Sequence, residues 1–137
     1  MPSPDWLGDF SKQDLETILQ EGSKIWLYSQ DSIPICSMMH IPATASSIQE
    51  FNLDLDYHEV ADYGPMFVNP EYRGKHLQLQ MLKELDSYSS NHGYKYALST
   101  VHPNNNYSIN NLLKDDFQLV KQKTFQRGLR NIYLKKL

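Results

Sequence analysis

Asn69-Pro70-Glu71-Tyr72-Arg73-Gly74-Lys75-His76-Leu77-Gln78 is the stretch on which the reading of this chain turns. It separates a strand-like run, Met66 to Val68, from a helix-like run that begins at Leu77 and reaches about Asn91. A strand that stops at a proline, turns through a Gly and opens a helix leaves backbone N–H groups without intrahelical acceptors. Arg73 and Lys75 bring positive charge to the same turn. Free amides, the positive end of a helix and two cations together suit a phosphate or pyrophosphate. One Gly flanked by basic residues also occurs in ordinary strand-to-helix turns, so the rest of the chain decides its meaning.

Composition narrows the choices. At 137 residues, 40% hydrophobic and 21% charged, the chain has the length and balance of one globular domain spanning 1–137. A formal net charge of −3 argues against a general nucleic-acid binder, which is usually strongly basic. Cys36 is the only cysteine, so neither a disulfide nor a cysteine-based metal site is built within one chain, and no metal is expected. No apolar run has the length of a membrane span, and Asp5 and Asp9 do not suit a signal peptide. The expectation is a soluble cytoplasmic protein without a nucleic-acid or membrane partner.

Working outward, Ser11 can cap a helix through Leu15, Ile18 and Leu19 to Gly22, with Trp6, Leu7 and Phe10 ahead of it as apolar anchors. Lys24 to Ser29 and Ile33 to Ile41 read as a hairpin around Gln30-Asp31-Ser32, with Pro34 marking an edge or a late strand start. From Pro42 to His58 the pattern fits either a short helix with a loop or an irregular connection. Val60 to Val68 reads as a strand bulged or splayed at Gly64-Pro65. Leu77, Met81, Leu82, Leu85 and Tyr88 form one helical stripe ending near Gly93. Tyr94 to Val101 is a strand, and a helix from about Asn105 to Asp115 points Ile109, Leu112 and Leu113 inward. Phe117 to Phe125 and Leu129 to Leu137 close the chain as a hairpin around Arg127-Gly128. Mixed strands and helices predict a layered α/β domain.

This order, with the loop, resembles the GNAT superfamily of acetyl-CoA-dependent N-acetyltransferases. In that family a strand ends in a Q/R-x-x-G-x-G/A loop that binds the pyrophosphate of coenzyme A. Here Glu71 to His76 match it, behind a Val68-Asn69-Pro70 lead-in. A second match is Ser99 to Asn106 followed by a helix and Phe117, like the family's strand, Asn, and helix ending in Gly-Phe. The likeness covers Val60 to Leu137, and Ile25 to Ile41 less closely. Three departures lie within these motifs. Glu71 replaces the Gln or Arg, His76 the second small residue, and Asp116 the Gly before Phe117.

The resemblance implies a single GNAT-like domain with a mixed, mostly antiparallel sheet flanked by helices. Only Trp6 to Glu21 is available for the family's opening elements, so the N-terminal part is expected to be short or to lack upstream residues. It further implies acetyl transfer to a primary amine of a small molecule or peptide. Expected coenzyme A contacts are Phe67 and Val68 for the pantetheine arm and Arg73, Gly74, Lys75, His76, Leu77 and Gln78 for the pyrophosphate. Asn105, with Ser108 close by, matches the family Asn on the pantetheine arm. For the general base Asp62 comes first, with Glu59 and His58 at the strand entrance as alternatives. Asp54, Asp56, Glu59 and Asp62 together would suit a cationic amine. Many members carry a Tyr acid five residues before the Phe; here that position is Leu112, and Tyr107 lies more than a turn earlier. Because of Leu112 and His76, a non-catalytic coenzyme A module is the alternative. An edge strand ending at Leu137 is the expected means of homodimer formation.

Overall fold

The structure, a computed structural model, describes residues 22–137. The expected helix at Ser11 to Gly22 and the anchors Trp6, Leu7 and Phe10 lie outside the described residues. Asp31 and Ser32 both take positive φ (50° and 65°), the backbone a two-residue hairpin turn demands, so β1 (Lys24–Gln30) folds onto β2 (Ile33–Pro42). Pro34 sits beside a register irregularity at Tyr28/Ser29 and beyond the end of the β2–β3 ladder, so its missing N–H breaks no bond there. The undecided segment contains a helix, α1 (Ala45–Phe51), followed by a 3₁₀ turn at Tyr57–Glu59. Thr44 and Ser47 cap α1 reciprocally, and Lys121 and Lys123 donate to the carbonyls of Asn52 and Glu50 at its other end.

β3 (Val60–Val68) leads through the turn Pro70–Tyr72 into α2 (Leu77–Asn91), which crosses to the parallel strand β4 (Tyr96–Val101). α3 (Asn106–Lys114) and the hairpin β5 (Gln118–Phe125) and β6 (Gly128–Lys136) follow. The six strands of the described residues lie in the order β1-β2-β3-β4-β6-β5, antiparallel except for β3 and β4. This is the expected mixed, mostly antiparallel sheet. β6 is an interior strand, which corrects the expectation that the chain's last strand offers a free edge; among the described residues the edges are β1 and β5.

Strand alternation divides the core in two. Ala61, Tyr63, Ala97 and Tyr133 face Met81, Leu82 and Leu85 of α2 and Leu112 of α3. Val60, Leu98 and Ile132, one residue out of step, face Ile48 and Phe51 of α1. Complete burial of Met81, Leu82 and Leu85 stabilises the fold by about 1.5–3 kcal/mol each. On α3 the inner face differs from expectation. Leu113 is 50% exposed, while Ser108 and Asn111 turn inward with Leu112. Those two polar residues are held by Gln78: its Nε2 donates to Ser108 Oγ (3.1 Å), and its Oε1 accepts from Asn111 Nδ2 (2.8 Å). Hydrogen bonding of the buried amides thus outweighs the hydrophobic preference of Leu113.

Candidate functional site

β3 carries its own disruption. Met39 of β2 faces two residues, Gly64 and Pro65, because the register shifts between Met38 and His40. A Cβ on Gly64 would lie 2.7 Å from Ile41 Cδ1, so a larger residue in this bulge would have to displace the end of the Ile41 side chain. The bulge coincides with a parting of strands. β3 and β4 pair through Val60↔Tyr96, Ala61↔Ala97 and Asp62↔Leu98, and the ladder ends there although both strands continue. Ser99 Oγ reaches the Tyr63 carbonyl (3.4 Å) at the point of separation.

The hydrogen-bond phase tells which backbone groups face the opening. Asn69 N–H bonds to the Ile35 carbonyl, and bonded pairs alternate along an antiparallel ladder. In the same register Phe67 therefore turns its N–H and C=O toward Ser37, while Met66 and Val68 turn theirs toward β4. This corrects the expectation for Phe67, whose backbone is spent on β2, and leaves Met66 and Val68 as the residues of that run whose backbone faces the opening. On the far side, Leu137 N–H bonds to the Lys95 carbonyl, which directs Ala97, Ser99 and Val101 toward β6 and Thr100 toward the opening. Two strand edges with unshared polar groups thus face one another.

The Arg73–Gln78 loop closes one end of this opening. Gly74 (φ 82°) and His76 (φ 59°) both take the left-handed conformation, and the ideal Cβ of Gly74 meets nothing within 4 Å. His76 holds the N-cap position of α2 but makes no side-chain cap bond, so its exposed imidazole leaves the first amides of the helix uncovered. Arg73 lies over the Tyr107 ring (5.4 Å to the centroid) and Lys75 over the Tyr72 ring (5.1 Å). Leu77 is half-buried against the core. Gln78 is 1% exposed and bonded to α3, so only its backbone N–H remains for a ligand; the side chain does not face the loop.

On α3, Asn105 caps the helix by accepting from Ser108 N–H (3.2 Å). Tyr107 packs beneath the loop. Its hydroxyl is buried and finds no well-aligned partner among the described residues, with the Gly74 N–H and the Asn111 side chain beside it. Burial raises its proton affinity, and Asn111, Arg73 and Gly74 partly offset that rise. Leu112 is fully buried in the core.

Asp62 stands at the last β3–β4 pair, on the α1 face of the sheet with Val60 and Leu98. The residue is part-exposed, and the protein atoms crowded around its carboxyl strip away much of its hydration. That desolvation pushes its pKa up to about 7, against a smaller lowering by the Arg127 charge. The remaining expected acids lie elsewhere. Glu59 Oε2 binds Lys95 Nζ (2.7 Å) at the closed end of β3, and His58 pairs with Asp56 (3.0 Å) in the preceding turn. Asp56 and Glu59 are therefore engaged away from Asp62. Sequence reasoning also missed Thr100 and Arg127, which meet through Arg127 Nη2 and Thr100 Oγ1 (3.2 Å). Residues 27 positions apart leave no local pattern from which this contact follows.

No protein-family model matches the sequence, and no curated protein matches it. Solved structures do match. Aminoglycoside acetyltransferase AAC(6')-Ib, solved with coenzyme A and kanamycin, aligns over 96% of this chain and 80% of its own at 16% identity, with a TM-score of 0.74. The GNAT domain of S. lividans PAT covers 93% of this chain and 70% of its own (13% identity, TM-score 0.72). Ribosomal-protein-alanine N-acetyltransferase from Brucella melitensis covers 91% and 75% (14% identity, TM-score 0.69). Such identities establish architecture rather than activity, and the architecture of this chain is the GNAT acetyltransferase fold.

Proposed function

We propose that this protein transfers an acetyl group from acetyl-CoA to a primary amine of a small molecule or peptide, by direct attack of the amine on the thioester. The observation that carries the reading is the opening between β3 and β4, with the desolvated carboxyl of Asp62 at its apex. The residues suit the substrate. Met66 and Val68 offer backbone edges that would pair with the pantetheine amides as an added strand does. Arg73, Lys75 and the amides from Gly74 to Gln78 would hold the pyrophosphate, and the open space over Gly74 admits its close approach. The neighbours support the same substrate: AAC(6')-Ib and yncA of Salmonella typhimurium are solved with coenzyme A or acetyl-CoA.

In this reading Asp62 takes the proton from the acceptor ammonium, since a carboxyl near pKa 7 is ionised at working pH yet basic enough to accept it. The Met66 N–H faces the opening and would donate to the oxyanion that develops on the thioester carbonyl. Glu59, bound to Lys95, supports the strand end rather than the reaction. Tyr107 lies against the loop, so its role is to support the pyrophosphate side; proton delivery to the leaving thiolate then falls to solvent. The alternative, a non-catalytic coenzyme A module, draws on the burial of Leu112 where many relatives carry a Tyr acid.

Coenzyme A thiol release with a panel of amines decides between the two. The wild-type kcat/KM should rise through about pH 7 as Asp62 ionises. Asp62→Asn should lower it by roughly 100-fold or more, flatten that limb, and leave acetyl-CoA binding intact. Acetyl-CoA binding without amine-dependent release would favour the alternative.

A further inference from the structure

Arg127 sits in the β5–β6 turn and reaches back across the sheet to β4. Its guanidinium lies over the Phe125 ring (5.4 Å to the centroid) and donates one N–H to Thr100 Oγ1. Contact with a ring and a bond to a β4 side chain restrain the group and lower the entropy lost on forming further bonds. Among the described residues no carboxylate lies in ion-pair contact with it. Thr100 follows Leu98 by two residues and so shares the face on which Asp62 lies. The other cations of this hairpin that face α1, Lys121 and Lys123, are already spent on its terminal carbonyls. Among the described residues, the mouth beside Asp62 therefore presents a carboxyl with no hydrogen-bond partner and, close enough to act on its charge, an exposed guanidinium with further donors to offer.

We propose that Arg127 is a specificity-determining residue that selects acceptors bearing a carboxylate a few bonds from the reacting amine, as amino acids and acidic peptides do. The acceptor ammonium would meet Asp62 while its carboxylate meets the Arg127 fork, which matches two carboxylate oxygens. A simple amine satisfies only half of that arrangement. The inference rests on the transfer reaction proposed above.

Matched acceptors that differ only in the carboxylate provide the test: tyramine against tyrosine, and histamine against histidine. Wild-type kcat/KM should favour the amino acids on the order of 10-fold or more, expressed in KM. Arg127→Gln should bring the ratio near one, and Arg127→Lys should restore part of it. A wild-type ratio near one, or an Arg127→Gln variant that keeps the wild-type ratio, overturns the proposal. If no acceptor releases coenzyme A, calorimetric titration of tyrosine and tyramine into the protein separates the two ideas. Tyrosine binding that Arg127→Gln abolishes keeps the carboxylate site while the transfer reaction fails; equal binding of both molecules overturns both.

Discussion

The carboxyl of Asp62 lies where protein has displaced the water that would stabilise its charge, and its pKa rises from 3.8 to about 7 for that reason. The same shift that suits a base is a burden on the fold. A group whose folded pKa exceeds its unfolded value favours folding below the unfolded pKa, and that contribution is lost as pH rises through the folded one. For Asp62 the window runs from about pH 4 to about pH 7. Asp62→Asn should therefore raise the melting temperature by several degrees at pH 8 and change it little at pH 4, even as it removes activity. A melting temperature at pH 8 that matches or falls below wild type would mean the carboxylate is well solvated. Asp62 was legible in the sequence as a carboxylate on the strand before the loop, but its isolation was not. Solvation depends on which strands close around the group, and the sequence alone does not reveal where β3 and β4 part.

The loop and the start of α2 act as one element. Gly74 is left-handed with open space above it, so substitutions there separate strain from charge. Gly74→Ala should cost stability by about 1 kcal/mol through φ alone, with modest loss of acetyl-CoA affinity. Gly74→Asp places a carboxylate among the phosphate donors and should weaken acetyl-CoA on the order of 10-fold or more beyond the alanine variant. Equal affinities for the two variants, measured by calorimetry, would remove the loop from the site. Elements with a period and a punctuating residue were readable in advance. α2 followed from the Leu77–Tyr88 stripe, the β5–β6 hairpin from Arg127-Gly128, and the β3 bulge from Gly64-Pro65. Facing was harder. Gln78 sat within a basic loop yet turned inward because Ser108 and Asn111, thirty or more residues later, offered it partners. Phe67 turned away from the opening because hydrogen-bond phase is set by the partner strand, in which Ile35 accepts from Asn69.

Across the molecule, the side of the sheet under α2 holds a buried polar chain that contributes to the response to acid. His40 Nε2 bonds Ser89 Oγ (2.8 Å), which lies 3.0 Å from the Tyr63 hydroxyl, itself donating to Asp86 (2.7 Å). Lys135 then joins Asp86 to Asp115, which Lys83 also binds (2.6 Å). Burial among Trp26, Tyr63, Tyr88 and Tyr94 pushes the His40 pKa down to about 4. A lowered folded pKa gives stability that is present above the unfolded pKa of 6.5 and lost as pH falls toward 4, on the order of 3 kcal/mol. Asp62 and Asp86, both raised to about 7 by burial, contribute with the opposite sign over the same range, so the test is the difference between variants. In denaturant unfolding, wild type should lose stability relative to His40→Phe as pH falls toward 4. A variant with the wild-type slope would assign the acid response to other groups.

The separation of β3 and β4, with the loop at its end, is the feature from which site and function both follow. Thermal unfolding with increasing acetyl-CoA tests it most directly, because a ligand that binds only the folded chain stabilises it by about 2.7 kcal/mol at one hundred times its Kd. The account predicts a saturating rise in melting temperature for wild type and Asp62→Asn, strongly weakened in Gly74→Asp. No rise at millimolar acetyl-CoA would contradict it.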